Sequence, residues 1–242
     1  MVDAIRPKNL EEALAIINKE RCIIFSGGTD LMVRRRRWSG IEPDFDKKVV
    51  FISQIKELLD IKKQVKENSE YLIIGGACTC TQIEENSLVP NYIKKVFQDM
   101  ASPAIRNIAT IGGNICNSSP AGDSLPLLYA LEAELILSSA DGDRKISIED
   151  FILSPGKNIK KENEILKQIK IPLKDYKIKY YKKVGTRKSI ALSKVSFVAL
   201  ALYEDEKLYD VRITLGSVAP RIVKNKSIEN KIVNQVNDNK LD

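Results

Sequence analysis

One local pattern restricts this chain more than any other: a short apolar run breaks into a glycine pair and then resumes with helical spacing. Cys22-Ile23-Ile24-Phe25 reads as a strand, Ser26-Gly27-Gly28-Thr29-Asp30 follows it, and residues 31–37 read as a helix of mixed charge and hydrophobicity. Adjacent glycines let a backbone approach a phosphate closely, and a helix start supplies free N–H groups and positive dipole. Thr29 adds a hydroxyl donor. No Gly-Lys-Ser/Thr ending makes this a P-loop, and no G-x-G-x-x-G fingerprint is present. Alone, these residues fit a plain turn equally well.

The pattern then returns. Ala109-Thr110-Ile111-Gly112-Gly113-Asn114-Ile115 sets a second glycine pair beside a hydroxyl and an amide, suited to a second set of backbone contacts. Soon after, Asp123 either accepts from sugar hydroxyls or, the commoner use, caps the helix expected near Pro126. Two such loops suit one long diphosphate ligand held between two subdomains.

The surrounding pattern divides the chain three ways. Residues 1–55 read as a small α/β unit, with Asn9 capping a helix whose apolar stripe is Leu10, Ala13, Leu14 and Ile17. Residues 56–174 carry paired strands at 58–66 and 71–74, a helix at 92–100 ending at Ser102-Pro103, and a Gly-interrupted stretch at 107–115. They close with a hairpin through Asp141-Gly142-Asp143 and a strand at 165–171. Residues 175–242 alternate at 178–183 and 208–215, read as helix or strand at 195–203, and end in a weakly patterned Lys/Asn-rich tail. The tail is expected to be frayed or incomplete.

Composition excludes several chemistries. The chain has 242 residues and no histidine, which rules out Ser-His-Asp and Cys-His catalysis, imidazole metal ligands and a histidyl-linked flavin. Cys22, Cys78, Cys80 and Cys116 read as reduced thiols. Cys78-Thr79-Cys80 lacks a second close pair for a metal site and reads as small buried residues. Net charge is +7, spread over lysine-rich faces; only Arg34-Arg35-Arg36-Arg37-Trp38 is dense. It suits a phosphate or a partner's carboxylate patch, and reads as a protein interface rather than a nucleic-acid patch. With no apolar run of the roughly 20 residues a membrane span needs and no signal-like start, a cytoplasmic protein is expected.

Three stretches together resemble a known family: Ser26-Gly-Gly-Thr-Asp-Leu31, Ala101-Ser-Pro-Ala-Ile-Arg-Asn-Ile-Ala-Thr-Ile-Gly-Gly-Asn-Ile115 and Ser119-Pro-Ala-Gly-Asp-Ser-Leu-Pro126. They are similar to the FAD-binding medium subunit of molybdenum hydroxylases, the group of xanthine and carbon monoxide dehydrogenases. Further likeness runs through Arg6-Pro7, Ile148-Glu149-Asp150-Phe151 and Glu164-Ile165-Leu166 to Ile171-Pro172. The resemblance implies an α+β fold: two FAD-binding subdomains of the vanillyl-alcohol-oxidase-like (PCMH) type, then a small α+β C-terminal domain. It implies non-covalent FAD, with the molybdenum cofactor and [2Fe–2S] clusters on large and small partner subunits, and electrons passing through FAD to NAD⁺ or another acceptor.

By position, Ser26, Gly27, Gly28, Thr29, Asp30, Leu31, Met32 and Val33 match one pyrophosphate loop, and Thr110, Ile111, Gly112, Gly113 and Asn114 the other. Met100 matches a cofactor-lining position and Asp123 the family's acidic FAD contact. Leu166 and Lys183 match positions at the flavin end, with Lys194 a second lysine candidate there. Two departures stand out. Many members carry Asp where Ser189-Ile190-Ala191-Leu192 has none, so acceptor preference does not carry over, and the third segment is short. A stand-alone FAD-dependent reductase of the same fold is the alternative; it needs a substrate acid, and no constellation for one is evident.

Overall fold

Asn9 starts the first helix as its position predicts. In this computed structural model, which describes residues 2–186 and 192–238, strand β1 (Ala4–Ile5) leads into α1 (Leu10–Lys19), where the Asn9 side chain accepts from the Glu12 amide at 2.8 Å. The Glu12 carboxylate in turn accepts from the Lys8 amide, one residue before the cap. Strand β2 (Cys22–Phe25), helix α2 (Leu31–Arg35) and strand β3 (Lys48–Phe51) complete a parallel sheet of order β1-β3-β2. Helix α2 ends before the expected residue 37. None of its residues is buried, so no apolar face holds the arginine run in helical geometry.

The second sheet is antiparallel. Strands β4 (Ile61–Lys66) and β5 (Ser69–Gly75) form one hairpin, and five helices follow: α3 (Cys80–Glu85), α4 (Asn91–Gln98), α5 (Pro103–Arg106), α6 (Ile111–Asn117) and α7 (Ser124–Ala130). The chain returns through β6 (Glu134–Ser139), β7 (Gly142–Ser147), α8 (Ile148–Phe151), a small hairpin of β8 (Ile152–Ser154) and β9 (Lys157–Asn158), and β10 (Ile165–Leu173). Strand β10 is central, in the order β4-β5-β10-β6-β7.

Two readings here are corrected. Ser102-Pro103 opens a helix as well as following one: Ser102 Oγ accepts from the Ile105 amide, and Pro103 occupies a first-turn position where its missing N–H costs nothing. The Gly-interrupted stretch is not a loop, because Thr110 caps α6 and both glycines lie inside its first turn. Gly112 is required there by contact, since a Cβ would sit 2.3 Å from the Gly76 carbonyl oxygen.

Strands β11 (Ile178–Gly185), β12 (Ser193–Glu204), β13 (Lys207–Gly216) and β14 (Val223–Lys224) form a third, antiparallel sheet, so residues 195–203 are strand. Val198 and Leu200 join the main core built around Leu72, Phe97, Ile115, Leu137 and Phe151. Buried Arg212 fastens this sheet to the end of α7, pairing with Glu132 at 2.6 Å and donating to the Ala130 carbonyl at 3.2 Å. The tail is not frayed over its described length. It forms α9 (Lys226–Asn237), capped by the Asn225 side chain, with Ile232, Val233 and Val236 packed on Ala201, Leu208 and Val211.

Cys78 and Cys80 are fully buried, and burial pushes their thiols up to about 11 and about 12. Among the described residues no group of side chains is arranged to hold a metal, and no helix is long and apolar enough to cross a membrane.

Candidate functional site

The two glycine motifs meet. A cleft of about 260 Å³ opens between the β2–α2 turn and α6, lined from one side by Ser26, Gly27, Gly28, Thr29, Asp30 and Leu31 and from the other by Thr110, Gly112, Gly113 and Asn114. The Ser26 and Thr110 hydroxyls hydrogen-bond across it at 3.0 Å. Gly27 permits this closeness, because a Cβ there would lie 1.9 Å from the Ile108 carbonyl oxygen. Gly28 has φ +73°, the left-handed region that glycine enters without cost.

The motifs contribute differently. In α6 the Ile111 and Gly112 amides donate to the Cys78 and Gly76 carbonyls, and the Gly113 amide to Thr110 Oγ1. The expected second set of backbone contacts is therefore largely spent inside the fold. What α6 presents to the cleft is Gly113, where an added Cβ meets only Thr110 Oγ1, at 2.9 Å, together with Asn114, Cys116 and Asn117.

Met100 and Leu166 line the apolar part of the cleft with Ile24, Ile52 and Ile165. Five expected residues lie outside the lining: Met32, exposed Val33, Ile111 in the core, Asp123 and Lys183. The last two form a nearly buried ion pair at 2.6 Å, and Lys183 Nζ also donates to the Asp99 carbonyl, next to Met100. Asp123 makes no capping bond to α7, so the cap reading is not realised. Burial raises its carboxyl above the usual range, only partly offset by Lys183 and the nearby Ser193 hydroxyl. Asp123 Oδ1 and Ser193 Oγ are buried with no partner at hydrogen-bond geometry. Such orphaned atoms suit a polar ligand edge. Lys194 is exposed near the start of β12, and Ser189, Ile190 and Ala191 lie outside the described residues.

Sequence reasoning missed four lining residues that matter: Arg34, placed with the interface run, Gly76, Cys116 and Lys160. Gly76 belongs to a visible Gly-Gly-Ala turn and Arg34 to the arginine run; Cys116 and Lys160 carry no motif signal. Arg34 reaches back to the Asn117 side chain, and burial pushes the Cys116 thiol up to about 11.

Comparison with known proteins gives this cleft a context. The family described as "FAD binding domain in molybdopterin dehydrogenase" matches residues 1–174. The nicotinate dehydrogenase FAD-subunit of Eubacterium barkeri is 34% identical over 198 residues, 77% of this chain and 64% of that protein. The chain thus spans just under two thirds of that relative. The glyceraldehyde dehydrogenase medium chain of Sulfolobus acidocaldarius is 28% identical over 234 residues, 95% of this chain and 80% of that one. Reconstituted CO dehydrogenase from Oligotropha carboxidovorans shares the fold, with TM-score 0.87 at 21% identity, covering 98% of this chain and 82% of that one. The α+β fold expected from sequence is thereby established. The family match takes in both glycine motifs and the cleft between them, and the chain belongs to the FAD-binding domain family of molybdopterin dehydrogenases.

Proposed function

We propose that this chain is the FAD-carrying electron-transfer subunit of a molybdenum-containing hydroxylase or dehydrogenase. Residues 1–55 and 56–174 are its two FAD-binding subdomains and residues 175–242 its C-terminal domain. The observation that supports this reading is what lines the cleft. Among the described residues its titratable groups are Asp30, Arg34, Cys116 and Lys160, with no paired acid and base for turning over a substrate unaided.

FAD, when bound, supplies a carrier able to accept electrons singly or in pairs. The chain's residues bind and orient it. The turn at 26–31 would take the diphosphate, and Gly113 would admit the ligand against the α6 backbone. Met100 and Leu166 keep water from the apolar part of the cleft. Asp123 fixes the Lys183 ammonium by an ion pair at 2.6 Å; at the flavin end that ammonium would donate a hydrogen bond favouring the reduced, anionic ring. Iron–sulfur clusters on a small partner subunit would supply its electrons, after substrate oxidation at molybdenum on a large one, and NAD⁺ or another acceptor would take them, all in the cytoplasm.

Purification of the chain with its bound partners tests this. Iron and molybdenum in the complex, with flavin absorbance bleaching anaerobically when the substrate of the molybdenum chain is added, are expected. A flavin that bleaches in the isolated chain with a substrate of its own contradicts the electron-transfer role.

A further inference from the structure

Arg34 and Lys160 line the cleft from separate parts of the chain, and the glycine motifs explain neither. Arg34 comes from α2 and donates to the Asn117 side chain. Lys160 lies between β9 and β10, and its Nζ donates to the Lys161 and Glu164 carbonyls at 3.0 and 3.1 Å. A guanidinium carries five N–H donors and an ammonium three, so both keep donors to spare. Both line the cleft with Gly28, Thr29 and Gly113, where Asp30 is the sole acid among the described residues. A diphosphate brings negative charge that something must offset. The α6 amides that a helix start normally offers an anion are already bonded to Cys78, Gly76 and Thr110, and α2 is one short turn.

We infer that Arg34 and Lys160 clamp the diphosphate of the bound dinucleotide, one cation from each subdomain, and replace the helix amides that α6 withholds. This rests on the FAD reading above. Arg34 fits bidentate contact with phosphate oxygens, and Lys160 acts as a point charge. The ligand then bridges two units of separate sheets, so its binding draws them together.

The test is titration of the full chain with FAD and, separately, ADP, which carries the diphosphate without the flavin. Arg34→Met and Lys160→Met should each weaken both ligands by about 10- to 100-fold, as loss of charge-assisted hydrogen bonds implies. Arg34→Lys should recover part of that loss, and added salt should weaken the wild type more than the double variant. Lys183→Met, at the flavin end, should weaken FAD and leave ADP unchanged. If Arg34→Met unfolds early, Lys160→Met decides, since the hydrogen bonds of its ammonium go to the nearby Lys161 and Glu164 carbonyls rather than to α6. Wild-type affinity for both ligands in both variants, or an ADP loss in Lys183→Met equal to theirs, overturns the clamp. A wild-type chain that takes up no FAD refutes the underlying reading, whereas FAD uptake with unaffected variants refutes the clamp alone.

Discussion

The two glycine pairs look alike as residues and differ as structures. Gly27-Gly28 sits in an irregular turn, where Gly28 adopts φ +73° and the chain reverses toward α2. Gly112-Gly113 sits in the first turn of α6 with ordinary helical geometry and its amides spoken for. Each pair has one member packed against a foreign carbonyl, Gly27 on Ile108 and Gly112 on Gly76. The second members differ: Gly28 serves the backbone, and Gly113 faces the cleft, where we propose that it leaves room for the ligand. A repeated dipeptide therefore divides into structural and ligand-facing positions, and only the surroundings say which is which.

That division can be broken by mutation. Gly112→Val should cost the most, at least about 3 kcal/mol in urea unfolding, because the backbone on which it intrudes cannot move aside like a side chain. Gly113→Leu should reverse the pattern. Its stability should fall by less than that of Gly112→Val, because the added Cβ meets the Thr110 hydroxyl at 2.9 Å rather than backbone, while FAD affinity falls by about 100-fold or more, roughly 2.7 kcal/mol by affinity arithmetic. Equal flavin content in wild type and this variant would remove Gly113 from the site. Gly28→Ala should lose about 1–2 kcal/mol from the left-handed backbone, with the Phe25 ring also forced to shift.

The smallest effect is expected outside both motifs. Glu164 is almost buried and takes Arg144 bidentately at 2.6 and 2.9 Å. Burial by itself would raise its carboxyl, but the Arg144 guanidinium and the Lys161 amide outweigh burial and hold it below its usual 4.5. A lowered carboxyl contributes stability that is full above 4.5 and lost as pH falls through the folded value. Glu164→Gln should therefore lose about 1 kcal/mol at neutral pH, discounted because Arg144 stays partly solvated. Its stability should fall less steeply than wild type below 4.5. Urea midpoints across the acid range measure this, and an unchanged acid slope would exclude the pair as its source.

Much of the fold was legible because local signals agreed with tertiary contacts. Asn9, the apolar stripe of α1 and the Asp141-Gly142-Asp143 hairpin all stand where their residues put them. Three features were not. Helix α6 was hidden by its glycines, whose low helix propensity is overridden by the Thr110 cap and packing on Gly76. Helix α9 was hidden by Lys and Asn between its apolar positions, which gain meaning only against the third sheet. Lys160 joins the cleft through the chain's path after β9, and nothing in neighbouring residues announces it. The motifs and family resemblance led to the cleft; the division of labour within it required the hydrogen bonds.

The most direct test is the chromophore of the purified chain, measured before and after acid precipitation and compared with Gly113→Leu. The account predicts FAD at about one per chain, as one cleft between the two glycine motifs allows, released whole by acid, and its near absence from a Gly113→Leu chain that still unfolds cooperatively. No FAD bound even with excess added, or FAD retained equally by the variant, would contradict it.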